Sequence, residues 1–570
     1  MKQAHPELQL QDKRPQFKRF GFISRRLQSF KEYIFGNVRE YYIAHAFIKR
    51  DAALIPLLLI QAIASLSLHN TAFQDEATYL DAGRRILISL SGGERVVDPF
   101  SAYFSGFPYF YPVLGGALDL FGGLEAARLL SLACMLATTA AVYYIGKSLF
   151  SQVSALFGAA AFASQGPVLF LGHFATYDAL CLCLIAVSTA LSVRFGTSRS
   201  YRGAVAVGML LFLACTAKYA GLLFFPSVFL VLGWTSWTTH GRRQACLQVG
   251  LASLPLMIGF SILLVCTPGL AEGMGITTLY REAMYPLSRS ALVQEAVSLE
   301  GTLFLLAAAG LIWSVRTNWG IHKSRRLLFA GLMLTSLLVP LYHIDKLEGA
   351  SFHKHIAFGE FFIAPLAGYA LSRFFGYERP PLVHGSFPLV RGGFHQIGSG
   401  QSWSCALALS SCTMLFLVGL GQAHDYFGSW SNCTSFVGEV HILVHPKDRI
   451  LAENVEVSRY YLRDVVGAYQ WSHFYSFSYT DSSGRTLDGE TAYRTAIDQG
   501  YFDKIILTGE TSKYNLANDL ETQLRKDARY RLEAQVPLSS LSTTYTARIW
   551  HKIKWDKPTP VMSVLSQKAK

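Results

Sequence analysis

Residues 69–86 read HNTAFQDEATYLDAGRRI, in which the adjacent carboxylates Asp75 and Glu76 are followed by Tyr79, Asp81, Arg84 and Arg85. On a helix Asp75 and Tyr79 stand four apart and Glu76 and Tyr79 three apart, which predicts that the acids and the phenol share one side. Such a group is equipped to take a proton from a hydroxyl. The plain alternative is an interfacial helix whose charges are simply solvated. Ionisable groups recur beside later apolar stretches: His173 and Asp178 in GHFATYD, Lys218 in TAKY, Arg281, and His353, Lys354 and His355 in one run. Charged side chains are costly near a bilayer, so a set gathered at one surface is a site hypothesis by default. A carboxylate beside fixed cations suits a reaction in which an acceptor hydroxyl is deprotonated while an anionic phosphate departs.

The elements that must position these groups are membrane helices. Of 570 residues, 51% are hydrophobic and 16% charged, with 39 Phe, too apolar a balance for a string of soluble domains. Apolar stretches lie near 52–68, 124–145, 152–171, 175–193, 203–217, 219–236, 246–266, 296–314, 327–344, 356–372 and 404–421. They read as about eleven spans at the usual length of 17 to 25 residues. The net charge of +13 falls in the first fifty residues and in short loops. That placement reads as membrane topology, and no basic face interleaved with aromatics points to nucleic acid.

The charge bias predicts a cytoplasmic amino terminus, with Lys147, Arg194, Arg199, Arg202, Arg242, Arg243, Arg316, Lys323, Arg325, Arg326, Arg373, Arg379 and Arg391 on the same side. Every candidate residue then falls on the opposite side, as does the carboxyl end after an odd number of spans. Residues 1–50 are basic and aromatic, read either as an amphipathic surface helix or as a plain tail. No cleavable signal is evident, because this polar stretch is far longer than a signal peptide's basic start. The nine cysteines show no paired spacing and read as small buried side chains. The Gly- and Ser-rich stretch 376–402 reads as an inside loop.

After residue 423 the pattern turns soluble. Strands are expected at 449–453, 502–508, 530–536 and 544–550, and helices at 455–466 and 515–526, making a small α/β domain without a Gly-rich phosphate loop or a nucleophile elbow. The division expected is a basic segment 1–50, a membrane domain 51–422 with a first external loop 69–123, and an external α/β domain 423–570.

The pattern resembles the GT-C fold glycosyltransferases, multi-span enzymes that use polyprenyl-phosphate sugars, and within them the branch of protein O-mannosyltransferases and the lipid A aminoarabinose transferase. Asp75-Glu76 just past the first span is similar to the family's acidic motif. FPYFYPVLGGAL (107–118), followed by LEAARLLSL, is similar to its entry into the second span; Asp178 sits where a second acid is common, and Thr216-Ala217-Lys218-Tyr219 resembles a Thr-Lys motif at a span end. The resemblance covers about residues 52–370.

It implies an inverting hexosyl- or pentosyltransferase of the cell envelope, placed in a bacterial inner membrane. Asp75 would be the general base, and Glu76 and Asp178 would position it, the acceptor or a metal. Lys218 would hold the donor phosphate, His353, Lys354 and His355 would recognise phosphate or product, and Arg281 would either contact the phosphate or only cap the interface, while Tyr79 and Tyr109 would position the acceptor. The donor would be a polyprenyl-phosphate sugar and the acceptor a glycan or glycolipid, with membrane lipids as surroundings. A divalent metal ion is left open, since the His-x-His pair would need ligands from distant loops. Asp345 and Glu348 are expected to be solvated. Lacking the carboxyl-terminal repeat module of eukaryotic protein O-mannosyltransferases, the chain is not expected to modify protein. The competing reading is a transporter or flippase of lipid-linked sugars, whose site would lie at mid-membrane between repeats; no internal repeat is apparent.

Overall fold

A computed structural model describes residues 51–281, 283, 285–316, 323–377, 399–475, 477–509 and 516–553. The amino-terminal tail and most of the 376–402 loop lie outside these residues. Leu57–Lys570 forms one compact unit; of the other, Met1–Pro56, only residues 51–56 are described.

The protein is a polytopic helical membrane protein carrying a carboxyl-terminal α/β region. Each apolar stretch forms a helix or a broken pair of helices. Among the described residues seven helices are long and apolar enough to cross a membrane, from Tyr111–Leu149 to Ala406–Phe427, and Leu54–Leu66, Gln152–Ala163 and Tyr201–Ala217 are shorter apolar helices. The helix at the centre, Phe352–Phe374, is buried along nearly its whole length, although it carries Lys354 and Glu360. It packs against Arg289–Arg316 and Gln152–Ala163. Lipid-facing helices are apolar outward, as the exposed Leu254, Met257 and Ile258 of Arg242–Cys266 show.

The helix of the second expected span begins at Tyr111, thirteen residues before the expected start, and is interrupted by Gly122 and Gly123. Gly123 has φ 69°, a left-handed conformation that glycine adopts without penalty, so the apolar stretch from 124 is the second arm of a kinked rod. The loop before it is not loose chain. It folds as the helix Gln74–Leu90, opened by half of a capping box, in which Glu76 accepts from the Phe73 amide at 3.0 Å. This loop helix crosses Tyr111–Leu149 where Gly83 meets Gly116. A Cβ on Gly83 would lie 1.7 Å from the Pro112 carbonyl oxygen. Only a backbone without side chains fits there.

The carboxyl-terminal region holds a five-stranded sheet in the order β2-β1-β5-β7-β6. β1 (Ile450–Ala452) pairs in parallel with β2 (Trp471–Ser472) and with β5 (Lys504–Leu507), and β7 (Thr544–Lys552) runs antiparallel to both β5 and β6 (Tyr530–Ser539). The fully buried β5, KIIL, is covered on one face by helices Gly489–Asp498 and Leu516–Lys526. The other face meets the loop helix through Val455–Tyr461. Strands β1, β5, β6 and β7 and the helix expected at 515–526 fall where the sequence placed them, and the helix expected at 455–466 stops early, at Tyr461; β2, the hairpin β3 (Ser478–Thr480) and β4 (Thr486–Asp488), and Gly489–Asp498 are additions to the expected elements.

Candidate functional site

Four helix ends meet at one end of the bundle. Asp75 lies in the first turn of Gln74–Leu90, and Asp178 in the first turn of Tyr177–Ser198. Lys218 is the extended residue (φ −149°, ψ 122°) that separates Tyr201–Ala217 from a 3-10 turn at Tyr219–Phe224, and Lys354 and His355 open Phe352–Phe374. Carboxylates at helix amino termini are favoured by the helix dipole, whereas an ammonium there is not. Lys354 is therefore held in place by anions.

The contacts form a chain. Lys354 Nζ donates to Asp75 Oδ2 at 2.7 Å and lies 3.8 Å from Asp178 Oδ2. Lys218 Nζ donates to Asp178 Oδ1 and, at 2.6 Å, to His355 Nε2. Thr176 Oγ1 donates to Asp178 Oδ2 at 3.0 Å. His355 Nδ1 and His343 Nε2 are 3.0 Å apart, and His343 Nδ1 is 2.6 Å from the Glu348 carbonyl oxygen. A carbonyl only accepts, so His343 carries its proton on Nδ1 and its Nε2 accepts from His355 Nδ1–H; His355 Nε2 is then the lone pair that Lys218 needs. One anchor fixes both tautomers. Two carboxylates face two ammonium groups, so the cluster is charge-balanced. Asp75, with 26% of its side chain exposed, is its open end, while Asp178 is fully buried.

Backbone contacts set Lys218. Phe107 N donates to Thr216 O at 2.7 Å and Tyr219 N to Ser105 O at 2.8 Å, clamping the break to the loop. Gly106 makes the approach feasible, since a Cβ there would sit 2.1 Å from the Ala217 carbonyl oxygen.

The two adjacent acids part company. Asp75 faces the cluster, but Glu76 is fully buried and bound in bidentate fashion by Arg128, with Nε to Oε1 at 2.9 Å and Nη2 to Oε2 at 2.8 Å. Glu76 Oε1 also accepts from Ala175 N at 2.7 Å, so this acid ties the loop helix to the segment carrying Asp178. Tyr79 donates to Tyr177 OH at 2.6 Å within an aromatic group that includes Phe104 and Tyr111. Burial, the nearby Tyr177 and the charge of Asp75 push its phenol well above the usual range, so it acts as a neutral donor.

Other expected residues are spread out. His353 is turned away by its place on the helix and stacks on Tyr426, ring centres 4.2 Å apart, with Phe170 edge-on. Arg281 lies 3.6 Å from Glu348 Oε2, beside the histidine chain. Tyr109 is exposed and packs on Phe107. Glu348 corrects the expectation of a solvated acid: it is 1% exposed and accepts from Tyr285 N at 3.1 Å and Ala350 N at 2.8 Å. The loop needs those acceptors, and Arg281 offsets the charge. Asp345 is exposed as expected. Among the described residues no group of three His, Cys, Asp or Glu is arranged to hold a metal ion.

Arg128 and His343 were missed as site-building residues. Arg128 stood as a lone arginine inside an apolar stretch, itself a signal of a buried partner.

The family model for dolichyl-phosphate-mannose-protein mannosyltransferase matches residues 108–267. No curated protein sequence matches the chain. Among solved structures, ArnT from Cupriavidus metallidurans in the apo state superposes with TM-score 0.56 at 14% identity, over 89% of this chain and 98% of that one. The same protein bound to undecaprenyl phosphate gives 0.55 at 13% identity, over 88% and 98%. The chain has the GT-C fold. The GT-C likeness extends to the archaeal oligosaccharyltransferase AglB from Archaeoglobus fulgidus, solved with an inhibitory peptide and a dolichol-phosphate, at TM-score 0.51 and 12% identity over 89% of this chain and 75% of that one.

Proposed function

We propose that this GT-C protein is an inverting glycosyltransferase that moves a sugar from a polyprenyl-phosphate carrier to a glycan or glycolipid acceptor outside the cytoplasm. The observation that carries the reading is the meeting of Asp75 and Lys218, remote in sequence, in one chain of contacts through Lys354 and Asp178. The family match and the GT-C fold support a lipid-linked donor. The carrier's tail stays in the bilayer and presents its phosphate at a helix-bundle end such as this one. A bacterial inner membrane, with the amino terminus cytoplasmic and the α/β region external, fits the charge bias of the loops.

In this reading the acceptor oxygen attacks the anomeric carbon, its proton passes to Asp75, and the bond from that carbon to the phosphate oxygen breaks. The polyprenyl phosphate leaves with the bonding pair. An ammonium has three donors; Lys218 spends two on Asp178 and His355 and Lys354 one on Asp75, so each retains capacity for a phosphate oxygen. A phosphate drawing Lys354 toward itself also loosens that lysine's hold on Asp75, freeing Oδ2 to accept the acceptor's proton as the donor arrives. Asp178 keeps both lysines charged and placed. Glu76 acts at one remove, holding the loop helix, and Tyr79 supports Tyr177 beside Asp178.

Purified protein incubated with labelled polyprenyl-phosphate sugars and an envelope extract tests this. Label moving from lipid to acceptor is expected, and Asp75→Asn should abolish transfer while retaining donor binding, a loss of about 100- to 10,000-fold. Normal turnover by Asp75→Asn would remove the base; label crossing a vesicle still on its lipid would replace the transferase with a flippase.

A further inference from the structure

A second constellation lies on the loop helix away from the carboxylate–lysine cluster. Arg84 and Arg85 come from the helix Gln74–Leu90, and Arg459 and Arg463 from the carboxyl-terminal region; together they line a cavity of about 160 Å³ at the seam. At about 1.5 Å of rise per residue, Arg84 is about 14 Å along the helix from Asp75. The mechanism proposed above uses none of these arginines.

Four guanidinium groups share this wall with two carboxylates, Asp81 and Glu94. Their other partners are Asp464 for Arg84 at 2.6 Å, Asp119 for Arg463 at 2.6 Å and Asp98 for Arg85, none of which lines the cavity; Asp81 serves Arg459 at 3.0 Å and Arg85 at 3.9 Å. Those pairs hold the arginines rigidly without using all their donors. Among the described residues, the buried Arg84 Nε has no hydrogen-bond acceptor, and Arg85 Nη1 has only Asp81 Oδ2, at 3.9 Å. A buried donor such as Arg84 Nε calls for an unseen acceptor. The Arg85 guanidinium carbon also lies 4.8 Å from the centre of the Tyr469 ring, a cation–π contact that helps to hold the side chain in place. Converging, half-buried guanidinium forks match oxyanions in a way that lysines do not. The volume suits a single compact group rather than a whole ligand.

We infer that this seam pocket is a binding site for a compact oxyanion, a phosphate monoester carried on a lipid headgroup or as a free phosphate. It is built jointly by the loop helix and the carboxyl-terminal region, so occupancy clamps the two together.

The test uses the full-length protein in detergent micelles, with calorimetric titration of inorganic phosphate and of dihexanoyl phosphatidic acid, and dihexanoyl phosphatidylcholine as the control. Ala468→Glu places a carboxylate in the lining while keeping every arginine, and Arg459→Gln removes one fork, with Arg459→Lys as the charge-retaining comparison. Phosphate probes are expected to bind the parent protein and to bind Ala468→Glu and Arg459→Gln at least about tenfold more weakly, a difference of about 1.4 kcal/mol. Arg459→Lys should recover part of the loss, and phosphatidylcholine should not bind. Tighter binding of the phosphatidate assigns a lipid headgroup; equal binding of both phosphates assigns a free phosphate. Absent binding, or binding unchanged by both Ala468→Glu and Arg459→Gln, overturns the inference. Binding that instead follows Lys354→Ala places the anion at the carboxylate–lysine cluster, which overturns this pocket and leaves the proposed transfer intact. Failure of sugar transfer would count only against that function.

Discussion

The buried pair of Glu76 and Arg128 sets a measurable expectation. Arg128 has five N–H groups and all five are used: Nε and Nη2 on Glu76, Nη1 on Asn70 O at 3.0 Å and on Glu125 Oε1 at 3.2 Å, and Nη2 again on Thr71 O at 3.4 Å. Both side chains are fully buried. Arg128→Leu strands the Glu76 carboxylate with only the Ala175 and Phe73 amides, so the loss should be about 3–5 kcal/mol, the range for breaking a buried ion pair from one side. Glu76→Gln leaves Arg128 its two carbonyls and Glu125 and retains an amide-accepting oxygen, so about 2–3 kcal/mol is expected, as for a lost hydrogen bond to a charged group. The double variant leaves neither charge stranded against the other and should cost less than the sum by at least about 1.5 kcal/mol, within the range of coupled neighbours. Denaturant titration of the four proteins in one detergent, read by tryptophan fluorescence, gives the cycle. Costs that add to within about 0.5 kcal/mol, the additivity of independent sites, would refute the pairing, as would an Arg128→Leu cost below about 1 kcal/mol, the level of an exposed pair.

Three further outcomes follow from the same geometry. Gly83→Ala drives a methyl into the Pro112 carbonyl oxygen and should unseat the loop helix, lowering stability by about 1–3 kcal/mol and transfer with it; a fully active, equally stable variant would show that the crossing yields. His343→Phe removes the acceptor for His355 Nδ1–H and should free the His355 tautomer, lowering transfer about tenfold or more with folding retained; unchanged turnover would show that the histidine chain does not orient Lys218. Burial, together with the charge of Asp75, raises the Glu456 carboxyl above its usual value, and its Oε2 is buried without a hydrogen-bond partner among the described residues. A raised folded-state value means that the stability contributed by the protonated form is fully present below the unfolded value and disappears as pH rises through the folded one. Glu456→Gln should therefore raise the melting temperature at pH 8 and leave it unchanged near pH 4, and an equal shift at both would sink the assignment.

The membrane character, the acid-bearing loop and much of the carboxyl-terminal sheet were legible because they rest on local pattern. Apolar runs of spanning length and the alternation in 530–550 need no tertiary knowledge. The candidate site was legible in residue type but not in pairing. Asp75, Asp178, Lys218, Lys354 and His355 were singled out, yet nothing local shows that Lys354 binds Asp75 or that His353 turns to Tyr426. Consecutive residues on a helix point about 100° apart, so a motif read as a unit divides among different neighbours. Asp75-Glu76 and His353-Lys354-His355 both divided in this way. Glu348 was misjudged for a related reason: its loop looked solvent-facing, but the chain folds back so that its carboxylate caps two amides.

The loop helix also explains why the carboxyl-terminal region bears on a site to which its sheet contributes nothing. Gln74–Leu90 is held by Arg128 from the membrane helices, and from the other side by Tyr461 OH accepting the Ala72 amide at 2.8 Å, Arg459 on Asp81 and Asp464 on Arg84. Neighbouring contacts tie that region to the kinked helix, with Tyr460 donating to Asp119 Oδ1 at 2.5 Å and Arg463 pairing with the same carboxylate. Asp75 is the exposed end of a helix gripped on both sides, so its placement depends on contacts several turns away. A small displacement of a reacting group costs rate steeply even when every reacting residue is present. On the proposed function, the α/β region would act on the transfer through the position of one carboxylate, since its Arg459 and Arg463 are spent on Asp81 of the loop helix and Asp119 of the kinked helix.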